Sequence, residues 1–303
     1  MLNQDQTNDF NALLPGESTE AGTSRRTALK AVLGVGYAAA AMPLMAQTAI
    51  KTPSEGLTTG QTTYEVNGFK VPVFFAAPAG KTNLPVILVI QEIFGVHEYI
   101  ADTARRFARA GYLAIAPELY ARQGDPLQYT EAARLLSEIV SKVPDVQVMA
   151  DLDGAVKWAG ANGGNARNVG ITGFCWGGRI AWLYAAQNKN VKAGVAWYGR
   201  LAGTPSALTP QHPLDLAAGL KAPVLGLYGG QDSGIPLTSI NEMKDALASA
   251  GTQGNAAART SEFVVYSAAP HAFHADYRPS YRKEAAQDGF GRALAWFKTH
   301  GVA

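Results

Sequence analysis

Cysteine is nearly absent from this chain, which has a single one, Cys175, among 303 residues. A single cysteine leaves no partner for an internal disulfide, and no group of cysteine and histidine residues has the spacing of a zinc site. The five histidines are scattered, apart from the close pair His271 and His274. The sequence therefore predicts no disulfide and no metal, and we expect no cofactor.

Charged residues are few, at 17% of the chain, and the formal net charge is only +2. No run of lysine and arginine of the kind that binds nucleic acid occurs, so we expect no nucleic-acid partner. Hydrophobic residues make up 47% of the chain, enough to bury one large core. The length allows one or two domains, and we predict a single catalytic domain over residues 51–303.

Long, strongly apolar runs are also lacking near the start of the chain. The soft apolar segment 31–41 is short and rich in alanine and glycine, below the ~20 residues that a membrane-spanning helix needs. It follows a motif that resembles a twin-arginine export signal, formed by Ser24, Arg25, Arg26, Leu29 and Lys30. Ala28 stands where phenylalanine is usual. We expect residues 1–50 to be a leader for export to the periplasm, touching the membrane only in transit and cleaved near Ala46 or Ala49; an uncleaved anchor is the alternative.

From Thr62 onward, short apolar runs alternate with helical segments, which predicts an α/β fold with a mostly parallel sheet and helices on both faces. The expected strands are 62–66, 70–76, 86–91, 113–116, 169–173, 193–197, 224–228 and 263–266. The expected helices lie near 100–110, 129–141, 146–161, 178–186, 239–250 and 282–299. Asn67 and Gly68 predict a hairpin between the first two strands, which would make them an antiparallel edge on the N-terminal side of the sheet. The small, polar stretch 251–258 is expected to be a surface loop.

The one cysteine lies on a predicted turn from an apolar strand into a helix, with Gly173 two residues before it and Gly177 two residues after it. This is the pattern of a nucleophile elbow with sulfur in place of oxygen. A residue on so tight a turn has a strained backbone, and side chains at the glycine positions would collide with the neighbouring strand and helix. Cys175 is therefore a candidate nucleophile. The alternative is a buried free cysteine, since free cysteine is among the most buried residue types.

A cysteine nucleophile needs a base, because a free thiol with a pKa near 8.5 is mostly protonated at neutral pH. Reactive groups of open α/β sheets collect at the carboxyl ends of strands. Asp232 and His271 follow two late predicted strands, in the order nucleophile, acid, histidine of α/β-hydrolases. Asp232 could instead be a turn residue, His271 could cap a loop, and His274 competes for the catalytic role. We favour His271 because it follows its strand sooner.

Five separated motifs together resemble the dienelactone hydrolase family, namely 91–95 (QEIFG), 117–120 (PELY), 173–178 (GFCWGG), 229–232 (GGQD) and 271–273 (HAF). The likeness covers nearly all of the chain after Thr62. It implies an α/β-hydrolase fold. It further implies that Cys175 is the nucleophile, Asp232 the orienting acid, and His271 the general base and acid.

The resemblance adds a fourth residue to this set. Glu92 stands at the position of a family glutamate that contacts the thiol and accepts its proton when substrate arrives. Without the resemblance, Glu92 would be an ordinary carboxylate at the end of a strand. The developing oxyanion should then be bound by the backbone N–H groups of Ile93 and Trp176.

The implied reaction is the hydrolysis of a small carboxylic ester or lactone. The founding activity of the family opens an enol-lactone that carries a carboxylate, which needs cationic residues near the site. This chain departs from the family there, because Ala275 replaces the arginine expected four positions after the catalytic histidine. Arg200, Arg278 and Arg282 are candidates in its place, although solvated surface charge is the commoner role of arginine.

Two other functional classes stay open. The chain could be a non-catalytic α/β-hydrolase relative that binds a ligand in the same pocket, but the complete set of Cys175, Asp232, His271 and Glu92 argues against that. A thiol-dependent redox or peroxide-handling role is the other, but the sequence has no resolving cysteine.

Overall fold

The computed structural model describes residues 50–303, so the predicted leader, with its twin-arginine motif and cleavage region, lies outside the described residues. The strands are β1 (Leu57–Val66), β2 (Phe69–Pro78), β3 (Leu84–Ile90), β4 (Leu113–Pro117), β5 (Gly164–Phe174), β6 (Val191–Trp197), β7 (Val224–Gly229) and β8 (Glu262–Tyr266). The α-helices are α1 (Glu98–Arg109), α2 (Ala132–Glu138), α3 (Asp145–Ala161), α4 (Trp176–Gln187), α5 (Pro213–Leu216), α6 (Leu237–Thr252), α7 (Ala256–Thr260) and α8 (Lys283–Thr299). Short 3-10 turns lie at Pro126–Gln128, Val140–Lys142 and Ala217–Gly219.

The strands form one eight-stranded sheet in the order β1-β2-β4-β3-β5-β6-β7-β8. β1 pairs antiparallel with β2 and β2 pairs antiparallel with β4, whereas every pair from β4 to β8 is parallel. Asn67 and Gly68 close the first hairpin with φ values of 51° and 78°, as a type I′ turn requires. The predicted fold, a mostly parallel sheet with an antiparallel edge on its N-terminal side, is confirmed.

Helices cover the sheet in two groups. Strand β4 is buried along its whole length and β3 is buried from Val86 to Ile90, as expected of strands covered on both faces. In one group, α1 meets α8 where the rings of Phe107 and Phe297 lie 6.0 Å apart. In the other, Tyr184 of α4 donates a hydrogen bond to Asp153 of α3 at 2.8 Å. Within residues 50–303, no helix combines the length and apolarity needed to cross a membrane.

Some predicted boundaries differ from the structure. Strand β1 already begins at Leu57, and the helix expected over 129–141 is the shorter α2 followed by a 3-10 turn. The loop expected over 251–258 is present only at 253–255, because α6 continues to Thr252 and α7 begins at Ala256. The side chain of Asn255 accepts a hydrogen bond from the backbone N–H of Ala258 at 2.9 Å and so starts α7.

Hydrogen bonds join Thr52, near the start of the described residues, to α1. The Thr52 hydroxyl donates to Asp102 at 3.1 Å, and its backbone N–H also donates to this carboxylate. Asp102 in turn pairs with Arg106 at 2.7 Å, and Arg106 pairs with the buried Asp276. Asp276 follows His271 by five residues along the chain. A continuous chain of polar contacts therefore joins the start of the domain to the loop that carries His271.

Candidate active site

Glu92 and Cys175 follow neighbouring strands that end in register. Ile90, the last residue of β3, pairs with Gly173 of β5. Neighbouring strands lie ~4.8 Å apart, and each of the two candidate residues comes two positions after its member of this pair, just beyond the end of the strand. Both side chains are buried. The register therefore brings the carboxylate and the thiol to adjacent places at the carboxyl edge of the sheet.

The turn at Cys175 has the strained backbone expected of a nucleophile elbow, with φ of 55° and ψ of −114°. A Cβ atom at Gly173 would lie 2.0 Å from the carbonyl oxygen of Gly177, inside α4. A Cβ atom at Gly177 would lie 2.5 Å from the carbonyl oxygen of Gln91, just past β3. The predicted steric reason for the two glycines is therefore confirmed: each allows the elbow to pack against a neighbouring backbone.

Asp232 and His271 form a buried hydrogen-bonded pair. Their strands, β7 and β8, are parallel neighbours, and Nδ1 of His271 lies 2.6 Å from Oδ2 of Asp232. The other oxygen of Asp232 accepts hydrogen bonds from the backbone N–H groups of Gly234 at 2.9 Å and Ile235 at 3.2 Å. Asp232 is thus both the partner of the histidine and the residue that stabilises its own turn. The sequence left open whether Asp232 is the acid beside the histidine or a turn residue, and in the structure it is both.

The electrostatic surroundings of His271 link it to both partners. Burial lowers the pKa of its imidazole. The Asp232 carboxylate and the Cys175 sulfur together raise this pKa by more than burial lowers it, so the pKa of His271 lies well above 6.5. The ring of Tyr198 packs edge-on against His271 with centroids 5.1 Å apart. His271 is therefore hydrogen-bonded to the carboxylate through Nδ1 and interacts electrostatically with the sulfur.

His274 lies in a different environment from His271. Its Nδ1 atom is 2.6 Å from the hydroxyl of Tyr99, and its ring stacks with Phe174 at 5.1 Å. Burial, and then the positive charge of Arg106, hold the pKa of His274 well below 6.5. The structure thus gives the competing histidine a packing role beside Tyr99, while His271 meets Asp232.

Glu92 makes its hydrogen bond to a residue that the sequence did not single out. Its Oε2 atom accepts a hydrogen bond from the hydroxyl of Tyr277 at 2.6 Å. Its Oε1 atom is buried and has no hydrogen-bond partner within the described part of the chain. Glu92 therefore has one carboxylate oxygen bonded to Tyr277 and keeps the other available.

The two predicted oxyanion donors lie at the ends of β3 and β5. Trp176 is the first residue of α4, where backbone N–H groups lack an acceptor within the helix. Ile93 is buried, directly after Glu92. Among residues 50–303, neither N–H donates to an acceptor. Both donors remain free for a ligand oxygen, and the positive end of the α4 dipole adds to the pull on an anion.

A pocket of about 140 Å³ opens over Cys175 and His271. Apolar side chains form one part of its wall, namely Leu136, Val140, Trp176, Leu208 and Ile235. Polar side chains form the rest, including Arg179, Tyr198, Arg200, Thr204, Ser206 and His212. The thiol and the imidazole therefore meet a small, mixed cavity that suits a compact ligand with a polar end.

The three candidate arginines have three different positions. Arg200 lines the pocket. Arg278 is buried and lies 5.0 Å from the ring of Phe94, outside the pocket lining. Arg282 is exposed, and its guanidinium donates to the backbone carbonyl of Pro279 at 3.1 Å. The structure brings only Arg200 of these three to the pocket wall.

Sequence reasoning missed two residues beside Cys175. Tyr198 directly follows β6 and has a φ of 39°, so the strand-end rule that pointed to Asp232 could have found it. Arg179 comes one helical turn after Cys175 and holds Asp145 through two 2.7 Å hydrogen bonds. Its spacing along α4 was the available signal.

An eight-stranded, mostly parallel sheet flanked by helices, with a strained strand-to-helix turn facing a histidine–aspartate pair, defines an α/β-hydrolase-like protein. The chain belongs to the dienelactone hydrolase family, whose sequence pattern matches residues 71–301. It is a hydrolase that acts on lactones or esters.

Three relatives illustrate the similarity. The "Putative carboxymethylenebutenolidase" of Methylorubrum extorquens is 54% identical over 295 residues, which are 97% of this chain and 99% of that protein. The crystal structure of a "Putative Dienelactone Hydrolase" from Klebsiella pneumoniae matches with a TM-score of 0.77 and 53% identity, covering 80% of this chain and 98% of that one. A Bradyrhizobium protein named "Probable 2-oxo-3-(5-oxofuran-2-ylidene)propanoate lactonase" is 30% identical over 237 residues, 77% of this chain and 91% of that protein.

Proposed function

We propose that this hydrolase works through a covalent intermediate on Cys175. The thiol gives up its proton to Glu92, and the sulfur attacks the carbonyl carbon of a small carboxylic ester or lactone. The carbonyl oxygen becomes an oxyanion that accepts hydrogen bonds from the N–H groups of Ile93 and Trp176. When the tetrahedral intermediate collapses, the carbon–oxygen bond of the ester breaks and the leaving oxygen takes a proton from His271.

Water completes the cycle. His271, oriented by Asp232, removes a proton from water, and the resulting hydroxide attacks the thioester carbon. The carbon–sulfur bond breaks, the carboxylic acid leaves, and the sulfur takes back its proton from Glu92, while His271 keeps the proton taken from water for the next turnover. The 2.6 Å contact between Nδ1 of His271 and Asp232, together with the electrostatic interaction of Cys175 with the same imidazole, is the observation that supports this assignment.

The pocket supports a compact substrate that carries an anionic group. Its volume of about 140 Å³ limits the size, and Arg200 supplies a cationic side chain at its wall. The Bradyrhizobium relative is named for a lactone that carries a propanoate group. We therefore propose an unsaturated lactone with a carboxylate as the preferred substrate and Arg200 as the residue that binds its carboxylate.

An assay with a panel of aryl esters and unsaturated lactones tests this proposal. The unaltered protein should release a burst of product, and intact-mass spectrometry should find the acyl group on Cys175. Cys175→Ala should show neither. Absence of turnover on every panel member, with ligands nevertheless binding, would favour the non-catalytic binding protein instead.

We also propose that the protein is exported by the twin-arginine route. The alignment with the Methylorubrum relative covers 97% of this chain and so extends into the leader. Replacement of Arg25 and Arg26 by lysine should keep the protein in the cytoplasm. Mass spectrometry of the exported protein should find a new N-terminus near Ala46 or Ala49, and a mature protein that begins at Met1 would contradict cleavage.

A further inference from the structure

A relay of two hydrogen bonds ends on Glu92. Nε of Arg278 donates to the phenol oxygen of Tyr277 at 3.1 Å, and the Tyr277 hydroxyl donates to Oε2 of Glu92 at 2.6 Å. All three side chains are buried. A positively charged donor on its oxygen makes the phenol a stronger donor to the carboxylate, because linked hydrogen bonds polarise one another.

Other ionisable groups also face this carboxylate. Tyr99 from α1 and Tyr198 from the end of β6 interact electrostatically with Glu92, and burial is the largest cause that raises the pKa of each phenol well above 10. Both phenols are therefore neutral near pH 7. Tyr198 also interacts electrostatically with Cys175, which follows β5, the neighbour of the strand that precedes Glu92. The Tyr277 hydroxyl supplies a hydrogen bond to the carboxylate itself.

Two further titratable groups are His97, which packs against Tyr277, and His271, which interacts with Cys175. Burial, and then the charge of Arg278, lower the pKa of His97 to about 3, so His97 is uncharged beside Tyr277. His271 is hydrogen-bonded to Asp232 and interacts electrostatically with Cys175. These groups are common to the unaltered protein and to a variant that lacks only the Tyr277 hydroxyl.

We propose that Tyr277, polarised by Arg278, is a positioning residue that holds Glu92 in its ionised form and shifts the proton equilibrium between Glu92 and Cys175 toward the neutral thiol. The inference rests on the proposed function, in which Glu92 accepts the thiol proton. In that step the sulfur–hydrogen bond breaks, its electron pair stays on sulfur, and the proton binds Oε1 of Glu92. A hydrogen bond to the ionised carboxylate stabilises the state before transfer and so opposes the transfer.

This arrangement protects the nucleophile between turnovers. The thiolate is the form of cysteine that is readily oxidised, and this chain has no second cysteine to rescue an oxidised sulfur as a disulfide. Substrate binding at the pocket would then have to disturb the relay before the sulfur becomes reactive. Arg278 thus acts on the thiol through Tyr277 and Glu92, away from the pocket wall.

Alkylation of the single cysteine by iodoacetamide in the full-length protein at pH 7 tests the proposal without any substrate. Tyr277→Phe should be alkylated about ten- to a hundredfold faster, the factor that corresponds to one hydrogen bond to a charged group. Tyr266→Phe is the matched control, because the hydroxyl of Tyr266 donates to the exposed Asp288 at 2.8 Å and takes no part in the relay. Its alkylation rate should equal that of the unaltered protein.

Two further variants separate this effect from loosened packing. Arg278→Gln, which leaves the phenol but removes the charge that polarises it, should give a smaller increase. In a Glu92→Gln background, Tyr277→Phe should no longer change the rate, because the carboxylate on which it acts is gone. An unchanged or slower rate in Tyr277→Phe, or an increase that persists without Glu92, overturns the proposal. The ester assay with Cys175→Ala decides the proposed function separately, since alkylation needs no turnover.

Discussion

The carboxylate of Asp232 holds His271 with one oxygen, 2.6 Å from Nδ1, while its other oxygen holds the turn formed with Gly234 and Ile235. The orientation of the imidazole and the shape of the loop therefore depend on a single side chain. An amide can keep the turn but cannot accept the same hydrogen bond from Nδ1 without rotating. Because the two oxygens of Asp232 have different partners, substitution can separate the orientation of His271 from the stability of the turn.

Asp232→Asn should keep the fold but favour the wrong histidine tautomer, because the amide NH2 group would donate to Nδ1. We expect kcat for ester hydrolysis to fall about 10³- to 10⁴-fold, with the melting temperature little changed. Steady-state kinetics and thermal unfolding measure the two. Asp232→Ala, as the comparison, should lose the turn as well and melt earlier. An Asn variant that keeps a large part of its activity would argue against an orienting role.

Gly177→Ala should destabilise the protein, because the new Cβ would lie 2.5 Å from the carbonyl oxygen of Gln91. Overpacking against backbone typically lowers the free energy of unfolding by about 1–3 kcal/mol. Gly291→Ala is the matched control: it lies inside α8 with open space around the added atom, and alanine favours a helix there. Chemical denaturation should show a loss for the first variant and a small gain for the second.

His97→Phe should make the protein more resistant to acid. Burial, and then the charge of Arg278, lower the folded-state pKa of His97 to about 3, from 6.5. Such a histidine contributes stability above pH 6.5, and this is lost as pH falls toward the folded-state value, since the unfolded chain binds the proton first. Both ring nitrogens lack a hydrogen-bond partner within residues 50–303, so phenylalanine loses no polar contact. At pH 5 the variant should gain about 2 kcal/mol relative to its difference at pH 7, by denaturant titration.

Arg200→Ala should raise KM for a carboxylated lactone about ten- to a hundredfold, the contribution expected of a charged hydrogen bond. It should leave KM for a neutral aryl ester nearly unchanged, because only the carboxylate contacts the guanidinium in the proposed complex. Arg282→Ala serves as the control, since this arginine is exposed and bonded to backbone carbonyls. Equal effects of Arg200→Ala on both substrates would assign it a structural role.

The residues that could be predicted from the sequence are those set by local rules. The hairpin at Asn67 and Gly68 and the elbow at Cys175 each follow from backbone conformations that few residues allow, and both are present. Chain order at strand ends led to Asp232 and His271, which the structure brings into contact. Such signals depend on neighbours in the chain and need no knowledge of distant contacts.

The relay to Glu92 and the boundaries near 251–258 could not be found in this way. Tyr277 meets Glu92 across 185 positions of sequence, and nothing in its own neighbourhood distinguishes it from a packing tyrosine. The same holds for Asn255, whose side chain both starts α7 and donates to the carbonyl of Leu220 at 3.0 Å. Composition favoured a loop at this place because small polar residues are typical of loops, and tertiary contacts decided otherwise.

The contacts that run from Thr52 through Asp102 and Arg106 to Asp276 limit where the proposed cleavage of the leader can fall. A peptidase that cuts at or before Ala49 leaves this tether whole, whereas trimming only a few residues further would detach the anchor from the segment that bears the imidazole. For the proposed cleavage of the leader, the site of maturation is thus bounded on one side by these contacts, as well as by the preference of the peptidase.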